Sequence, residues 1–190
     1  MKKLFLVALP IEIGPEALKK EGFVPVTTED VFPALYRRGE HDDYVAVIGM
    51  GAQQSAASMK QLNEQGFLRD ADIVLSGSAG SYSAGFLSIV QCPTGFPSLP
   101  PHYGSARIIC VHEFVDADHP HPELHAPGII FDMESEFVAG VIADAAPATF
   151  TIIKVISDDG SGSFGDWRTV CEQKVQPLVR QVALRFFTGE

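Results

Sequence analysis

Thr149-Phe150-Thr151-Ile152-Ile153-Lys154-Val155-Ile156, running without a break into Ser157-Asp158-Asp159-Gly160, is the stretch that decides the fold. A run this rich in β-branched and aromatic residues predicts a strand covered on both faces, because a half-solvated strand would alternate apolar with polar positions. Upstream of it, Asp132-Met133-Glu134-Ser135 opens an apolar stretch that reads as a helix from about Met133 to Ala145. A helix followed by a doubly covered strand is the repeating unit of an α/β sheet. Acids placed at a helix start and just beyond a strand end can converge on the carboxyl edge of such a sheet, where ligands usually bind.

The same alternation extends toward the N-terminus. Leu4 to Leu9 reads as a first buried strand, followed by a short polar helix from Glu12 to Glu21 that stops near Gly22. Two lysines before that apolar run imitate a secretory leader, but the run is short and Pro10-Ile11-Glu12 ends it without a small-residue cleavage site, so a strand is expected. Tyr44 to Ile48 is a second strand, and Gly49-Met50-Gly51 leads it into a helix from Ala52 to about Gln65. Ala71 to Leu75 is a third, ending in the small residues Ser76-Gly77-Ser78-Ala79-Gly80. Further strands are expected at Leu87 to Gln91 and Ala106 to Val111. The Pro- and Gly-rich segment Cys92 to Pro101 between them cannot sustain a ladder or a helix and is read as a loop. A last helix from about Asp166 to Phe187 places Trp167, Val170, Cys171, Leu178, Val182 and Phe186 on one face, with a kink expected at Pro177. There is no internal repeat, and residues 1–190 read as one three-layer α/β domain.

The chain has 190 residues and a formal net charge of −10. That balance argues against a nucleic-acid backbone or an anionic membrane as partner, since either favours clustered Lys and Arg. No run approaches transmembrane length. Cys92, Cys110 and Cys171 are odd in number and widely spaced, which fits neither a disulfide framework nor a CxxC metal pattern, so a cytoplasmic setting is expected. His112 to His125 is rich in His, Asp and Glu, yet it lacks the spacing that sets ligands on one face, and it is read as a solvated loop rather than a metal site. Ser78 sits in a turn of small residues but lacks the glycine two places before it that a nucleophile elbow requires. Glu12, Glu134 and Asp158 each lie near the end of an expected buried strand. Such acids can bind sugar hydroxyls or move protons, although Glu12 also suits a helix first turn and Asp158 a cap.

Taken in order, these pieces resemble the purine nucleoside phosphorylase and nucleosidase superfamily, and within it the 5′-methylthioadenosine/S-adenosylhomocysteine nucleosidases. The resemblance rests on Ala8-Leu9-Pro10-Ile11-Glu12, Gly49-Met50-Gly51, Leu75 to Gly80, Glu113-Phe114-Val115, Asp132-Met133-Glu134-Ser135 and Ile156-Ser157-Asp158. It implies a central mixed, twisted β-sheet between two helical layers, N-glycosidic bond cleavage in a purine nucleoside, no cofactor, no metal, and a homodimer or larger homo-oligomer. By the same resemblance Asp158 is the general acid at purine N7, steadied by Ser157. Glu134 binds ribose hydroxyls, Met133 packs under the sugar, Phe114 stacks on the base, and Val115 offers backbone hydrogen bonds to its edge. Ser78 and Glu12 surround the attacking water.

The chemistry suits these residue types. Breaking the bond leaves positive charge on the sugar and negative charge on the base, so carboxylates belong near the ribose and a proton donor near the purine. A carboxylate at Glu12 would repel phosphate and activate water, which favours hydrolysis over phosphorolysis. Three features depart from the family pattern: the segment around 91–108 is short, Lys154 stands where relatives often have arginine, and Asp159-Gly160-Ser161-Gly162 replaces the usual continuation. Futalosine or another modified purine nucleoside therefore stays open as the substrate.

Overall fold

The computed structural model describes residues 1–27, 33–113, 115, 121–159 and 164–189, with backbone alone over 164–166. In chain order the elements are β1 (Lys2–Val7), α1 (Pro10–Ile13), α2 (Pro15–Lys20), β2 (Phe23–Pro25), β3 (Ala34–Arg38), β4 (Asp43–Val47), α3 (Gly51–Glu64) and β5 (Ala71–Leu75). There follow β6 (Ser78–Gly80), β7 (Ile89–Cys92), β8 (Gly104–Ser105), β9 (Arg107–Cys110), β10 (Ile129–Asp132), α4 (Ser135–Ala143), β11 (Thr149–Asp158), α5 (Phe164–Val170) and α6 (Gln176–Thr188).

The strands found among the described residues form one mixed sheet. At its centre β4, β1, β5 and β11 are parallel neighbours, with Phe5 level with Val45 and Val74, and Ile152 level with Leu75. The chain breaks at Ser76-Gly77 and resumes as β6, so β5 and β6 run beside successive parts of β11. Antiparallel pairings of β2 with β3, β3 with β4, β6 with β10 and β7 with β11, and parallel pairings of β9 with β10 and β8 with β7, complete it.

Residue alternation in β1 shows why the sheet carries helices on both faces. Leu4 and Leu6 point into a cluster with Ile73, Leu75, Met59 and Leu62 of α3, and Val138 and Ile142 of α4. Phe5 and Val7 point the other way, into a cluster with Val45, Val47, Ile13, Leu18, Val179, Val182 and Phe186. The first layer is therefore α3 with α4, the second α1, α2 and α6, and the three-layer arrangement follows from a strand with no polar face.

The expected strand at the N-terminus is present, two residues earlier than its apolar run begins. The helix expected from Glu12 to Glu21 is instead two short helices parted at Gly14, whose φ of 74° is the left-handed region. The long C-terminal helix is interrupted by a π-turn over Cys171–Val175, where the Gln176 N–H bonds to the Cys171 carbonyl five residues back. Pro177 lies in the first turn of α6, and the irregularity expected there is taken up in the turn before it. Cys171, Val182 and Phe186 of the expected apolar face are buried, with Trp167, Val170 and Leu178 packed beside them.

Candidate active site

The parallel strands β1, β5 and β11 and the oppositely running β10 all contribute to one cleft of about 70 Å³. After β1 the chain supplies Glu12, after β5 Ser78, after β10 Met133 and Glu134, and at the end of β11 Ser157 and Asp158. Val115 lines the cleft as well. Seven of the eight side chains expected at the site thus meet; the eighth, Phe114, lies outside the described residues.

Glu12 is 3% exposed and fully engaged. The backbone N–H groups of Ala8 and Leu9 each donate to its Oε2 at 3.0 Å, and the Ser78 N–H and Oγ–H each donate to Oε1 at 2.8 Å. The two readings of this acid merge here, since Glu12 closes the start of α1 and also clamps Ser78. The clamp needs Gly77, whose φ is 128° and where a Cβ would stand 2.7 Å from Glu12 Oε1.

Asp158 ends β11 where the register with β6 shifts between Ile156 and Asp158. Ser157 Oγ–H donates to Asp158 Oδ2 at 2.8 Å and also approaches the Ala79 carbonyl at 3.3 Å, so the serine orients the carboxyl. Oδ1 lies against Gly80: a Cβ there would come within 2.9 Å of it and would overlap the Phe131 ring.

Glu134 also lines the cleft. The Gly51 N–H at the start of α3 donates to its Oε1 at 2.9 Å. Burial pushes its carboxyl up to about 7, with Asp132 and Glu12 adding to the rise while Lys154 and the Gly51 N–H oppose it. Beneath it, Lys154 Nζ pairs with Asp132 Oδ2 at 2.8 Å, both side chains 1% exposed. Burial alone would lower the Lys154 ammonium, but Asp132, Glu134 and Glu12 outweigh it and hold the group above its usual value. Asp132 Oδ1 in turn accepts the Ser135 N–H at 3.1 Å, which fixes the entry to α4.

Met50 and Gly80, from the two glycine-bearing turns of the sequence, line the cleft as well. Phe131 and Trp167 also line it without a sequence signal for the site, since Trp167 fits the apolar face of the last helix. The Lys154–Asp132 pair did carry a signal, since a lysine inside an apolar strand demands a buried acid. Among the described residues lining the cleft there is no histidine, so Ser78 has no imidazole base for a hydrolase triad. Burial raises the Cys92 thiol to about 12 and the Cys110 thiol to about 11, which leaves neither as a thiolate near neutral pH. In the His-rich segment, the described residues hold no cluster of three metal-ligating side chains, and His125 stacks on Tyr82 with ring centroids 3.9 Å apart.

No protein-family model and no curated protein matches the sequence. Solved structures do match the fold. A 5′-methylthioadenosine nucleosidase from Chlamydia trachomatis, in a mutant form bound to 5′-methylthioadenosine, superposes with a TM-score of 0.75 at 17% identity over 100% of this chain and 99% of that one. A mutant futalosine hydrolase of Helicobacter pylori gives 0.73 at 15% identity, with the same coverage. A putative 5′-methylthioadenosine/S-adenosylhomocysteine nucleosidase from Francisella philomiragia gives 0.72 at 18% identity over 100% and 98%. The chain therefore has the nucleosidase fold, with the 91–108 segment inside the matched region.

Proposed function

We propose that the protein is a purine nucleosidase that hydrolyses the N-glycosidic bond of a 5′-modified purine nucleoside. The observation that carries this reading is the meeting in one cleft of a clamped pair, Glu12 with Ser78, a serine-steadied acid, Asp158, and a carboxyl that burial pushes up to about 7, Glu134. The fold it shares with enzymes named for 5′-methylthioadenosine and futalosine supports a 5′-substituted substrate.

In this mechanism Asp158 gives its proton to N7 of the leaving purine while Ser157 holds Oδ2. Glu134 accepts hydrogen bonds from the ribose hydroxyls and opposes the positive charge that grows on the sugar, with Met133 packed below. Val115 offers backbone groups to the base edge, and Phe114 is the residue proposed to stack on it. Water attacks the anomeric carbon. Glu12 already accepts four hydrogen bonds, which fills a carboxylate's lone-pair sites. The water proton therefore passes through Ser78, whose Oγ accepts from water while its own hydrogen moves to Glu12 Oε1.

Phosphorolysis is the second reading, and the charge of the cleft weighs against it. Five acids line it, Glu12, Glu113, Asp132, Glu134 and Asp158, and no arginine or lysine does so among the described residues. A phosphate dianion would find carboxylates and no lining cation to hold it there. The reading extends to residues 1–190 acting as one nucleosidase unit, in the cytoplasm and as a homodimer or larger homo-oligomer. No helix among the described residues is long and apolar enough to cross a membrane.

The test is to incubate purified protein with 5′-methylthioadenosine, S-adenosylhomocysteine, futalosine and unmodified purine nucleosides, with and without phosphate, and to identify base and sugar products. Free base with a reducing sugar, independent of phosphate, is the expected result. Ribose 1-phosphate would establish phosphorolysis, and binding without release of base from any of them would leave only a nucleoside-binding protein.

A further inference from the structure

The proposed mechanism gives Lys154 no role. This residue stands between Ile152 and Ile156 on the face of β11 that packs against α3 and α4, with Val90 as its cross-strand neighbour on β7. Its side chain is buried, and it does not line the cleft. An ammonium among aliphatic side chains is costly, and pairing it is no general remedy, because two apolar residues of similar volume are often as stable or more so.

Its placement supplies a further reason. Asp132, its partner at 2.8 Å, is the last residue of β10, and Glu134 follows two residues later, immediately before α4. Asp132 Oδ1 accepts the Ser135 N–H, so the chain on both sides of Glu134 is tied to the same ion pair. The Gly51 N–H at the start of α3 holds Glu134 Oε1. The charges acting on Glu134 are Asp132 on β10, Glu12 on α1 and Lys154 on β11, and of these Lys154 alone favours the ionised carboxylate. The Cys110 thiol on β9 stays neutral, because burial pushes it up to about 11. In turn Asp132, Glu134 and Glu12 keep the Lys154 ammonium charged. A cation buried this deeply acts through a medium of low dielectric and is little screened by salt.

We propose that Lys154 is a positioning residue for the ribose-binding acid: from behind the cleft it supplies the positive charge that lets Glu134 ionise, and through Asp132 and Ser135 it fixes where that acid stands. This role rests on the nucleosidase reading, in which the ionised Glu134 binds ribose. Set behind the acids rather than among them, the cation balances their charge without offering an anion a place on the cleft wall.

Substitutions at the two ends of the pair separate this role from that of a purely structural bridge. Lys154→Met removes the cation and should move the titration of the Glu134 carboxyl upward by about 1 pH unit. Asp132→Asn keeps an acceptor for the Ser135 N–H but removes a repulsion, and should move it downward. NMR of the carboxyl carbons in the full chain follows this titration without requiring turnover, the Glu134 resonance being the one lost in Glu134→Gln. With 5′-methylthioadenosine as substrate, the climb of kcat/KM with pH should shift in the same directions. Lys154→Met should then be about 10-fold slower than wild type at pH 6 and within a few-fold of it at pH 9. If melting curves show that Lys154→Met does not fold, Lys154→Met/Asp132→Asn replaces it; its midpoint should also lie above that of wild type, because Lys154 outweighs Asp132 at Glu134. Midpoints that stay in place, or that move the same way in Lys154→Met and Asp132→Asn, would overturn the proposal. The predicted NMR shifts in a chain that releases no base from any nucleoside would support the charge link and overturn the nucleosidase reading instead.

Discussion

Replacing Glu134 by Gln should make the protein more stable and less active at once. The side chain is 5% exposed, and its carboxyl is raised from an ordinary 4.5 to about 7, mainly because burial disfavours the charged form. At about 1.4 kcal/mol per tenfold change in proton affinity, that difference costs the folded state up to about 3 kcal/mol once Glu134 is ionised. Gln occupies nearly the same volume and can still accept the Gly51 N–H through its own Oε1. For a chain of this size the gain corresponds to about 6–12 °C in Tm.

The sign depends on pH in a way that a general packing effect would not. Below pH 4.5 Glu134 is protonated in folded and unfolded chains alike, so it makes no difference there. Between 4.5 and about 7 the unfolded chain loses the proton and the folded chain keeps it, so wild-type stability falls as pH rises. Above about 7 the penalty is complete. Thermal melts from pH 4 to 8.5 should therefore show Glu134→Gln and wild type together at the acid end and separating to the full gap above 7. In parallel, wild-type kcat/KM should climb through pH 7 as the ribose-binding carboxylate ionises, and the variant should be about 10- to 100-fold slower without that climb. A variant less stable than wild type at pH 8, or one whose gap is the same at pH 4.5 and 8, would refute the reasoning.

Three other outcomes are expected. Asp158→Asn should lower kcat by about 10²–10⁴-fold in single-turnover assays while leaving nucleoside affinity within a few-fold by equilibrium dialysis, because the amide keeps the shape and cannot donate the acid proton. Gly80→Ala drives a methyl into the Phe131 ring and against Asp158 Oδ1, so it should cost about 1–3 kcal/mol by urea unfolding and lose turnover. Lys154→Met leaves the Asp132 charge buried without its partner and should cost about 3–5 kcal/mol, most of it recovered when Asp132→Leu is added.

The parallel centre of the sheet was legible because its strands are apolar on both faces, and such runs stand out in any chain. β5 matches its expected bounds, Ala71–Leu75, and β11 outruns its expected end by only two residues. Strands that lie at an edge or depend on distant partners were not legible. β2 is only Phe23-Val24-Pro25 and ends in a proline, β3 runs from Ala34-Leu35 into Arg37-Arg38, and β6 and β8 are three and two residues long, held by β11, β10 and β7 rather than by their own propensity. β10 was hidden by reading Asp132 as the opening of a helix, when it is both the last residue of a strand and the acceptor for the Ser135 N–H.

Spacing along the chain could place the acids of the site but could not rank them, because their states depend on donors that arrive from other elements. Glu12 draws four hydrogen bonds from two strand ends, and Asp132 has Lys154 and the Ser135 N–H. Glu134 accepts the Gly51 N–H and feels the attraction of Lys154, but burial and the repulsion of Asp132 and Glu12 outweigh both and push its carboxyl up to about 7. A carboxylate not saturated by the protein's own donors keeps lone pairs for a sugar. A fully satisfied carboxylate in its place would fold more easily and hold a ribose less well, and that opposition is what the pH-dependent gap between wild type and Glu134→Gln would measure.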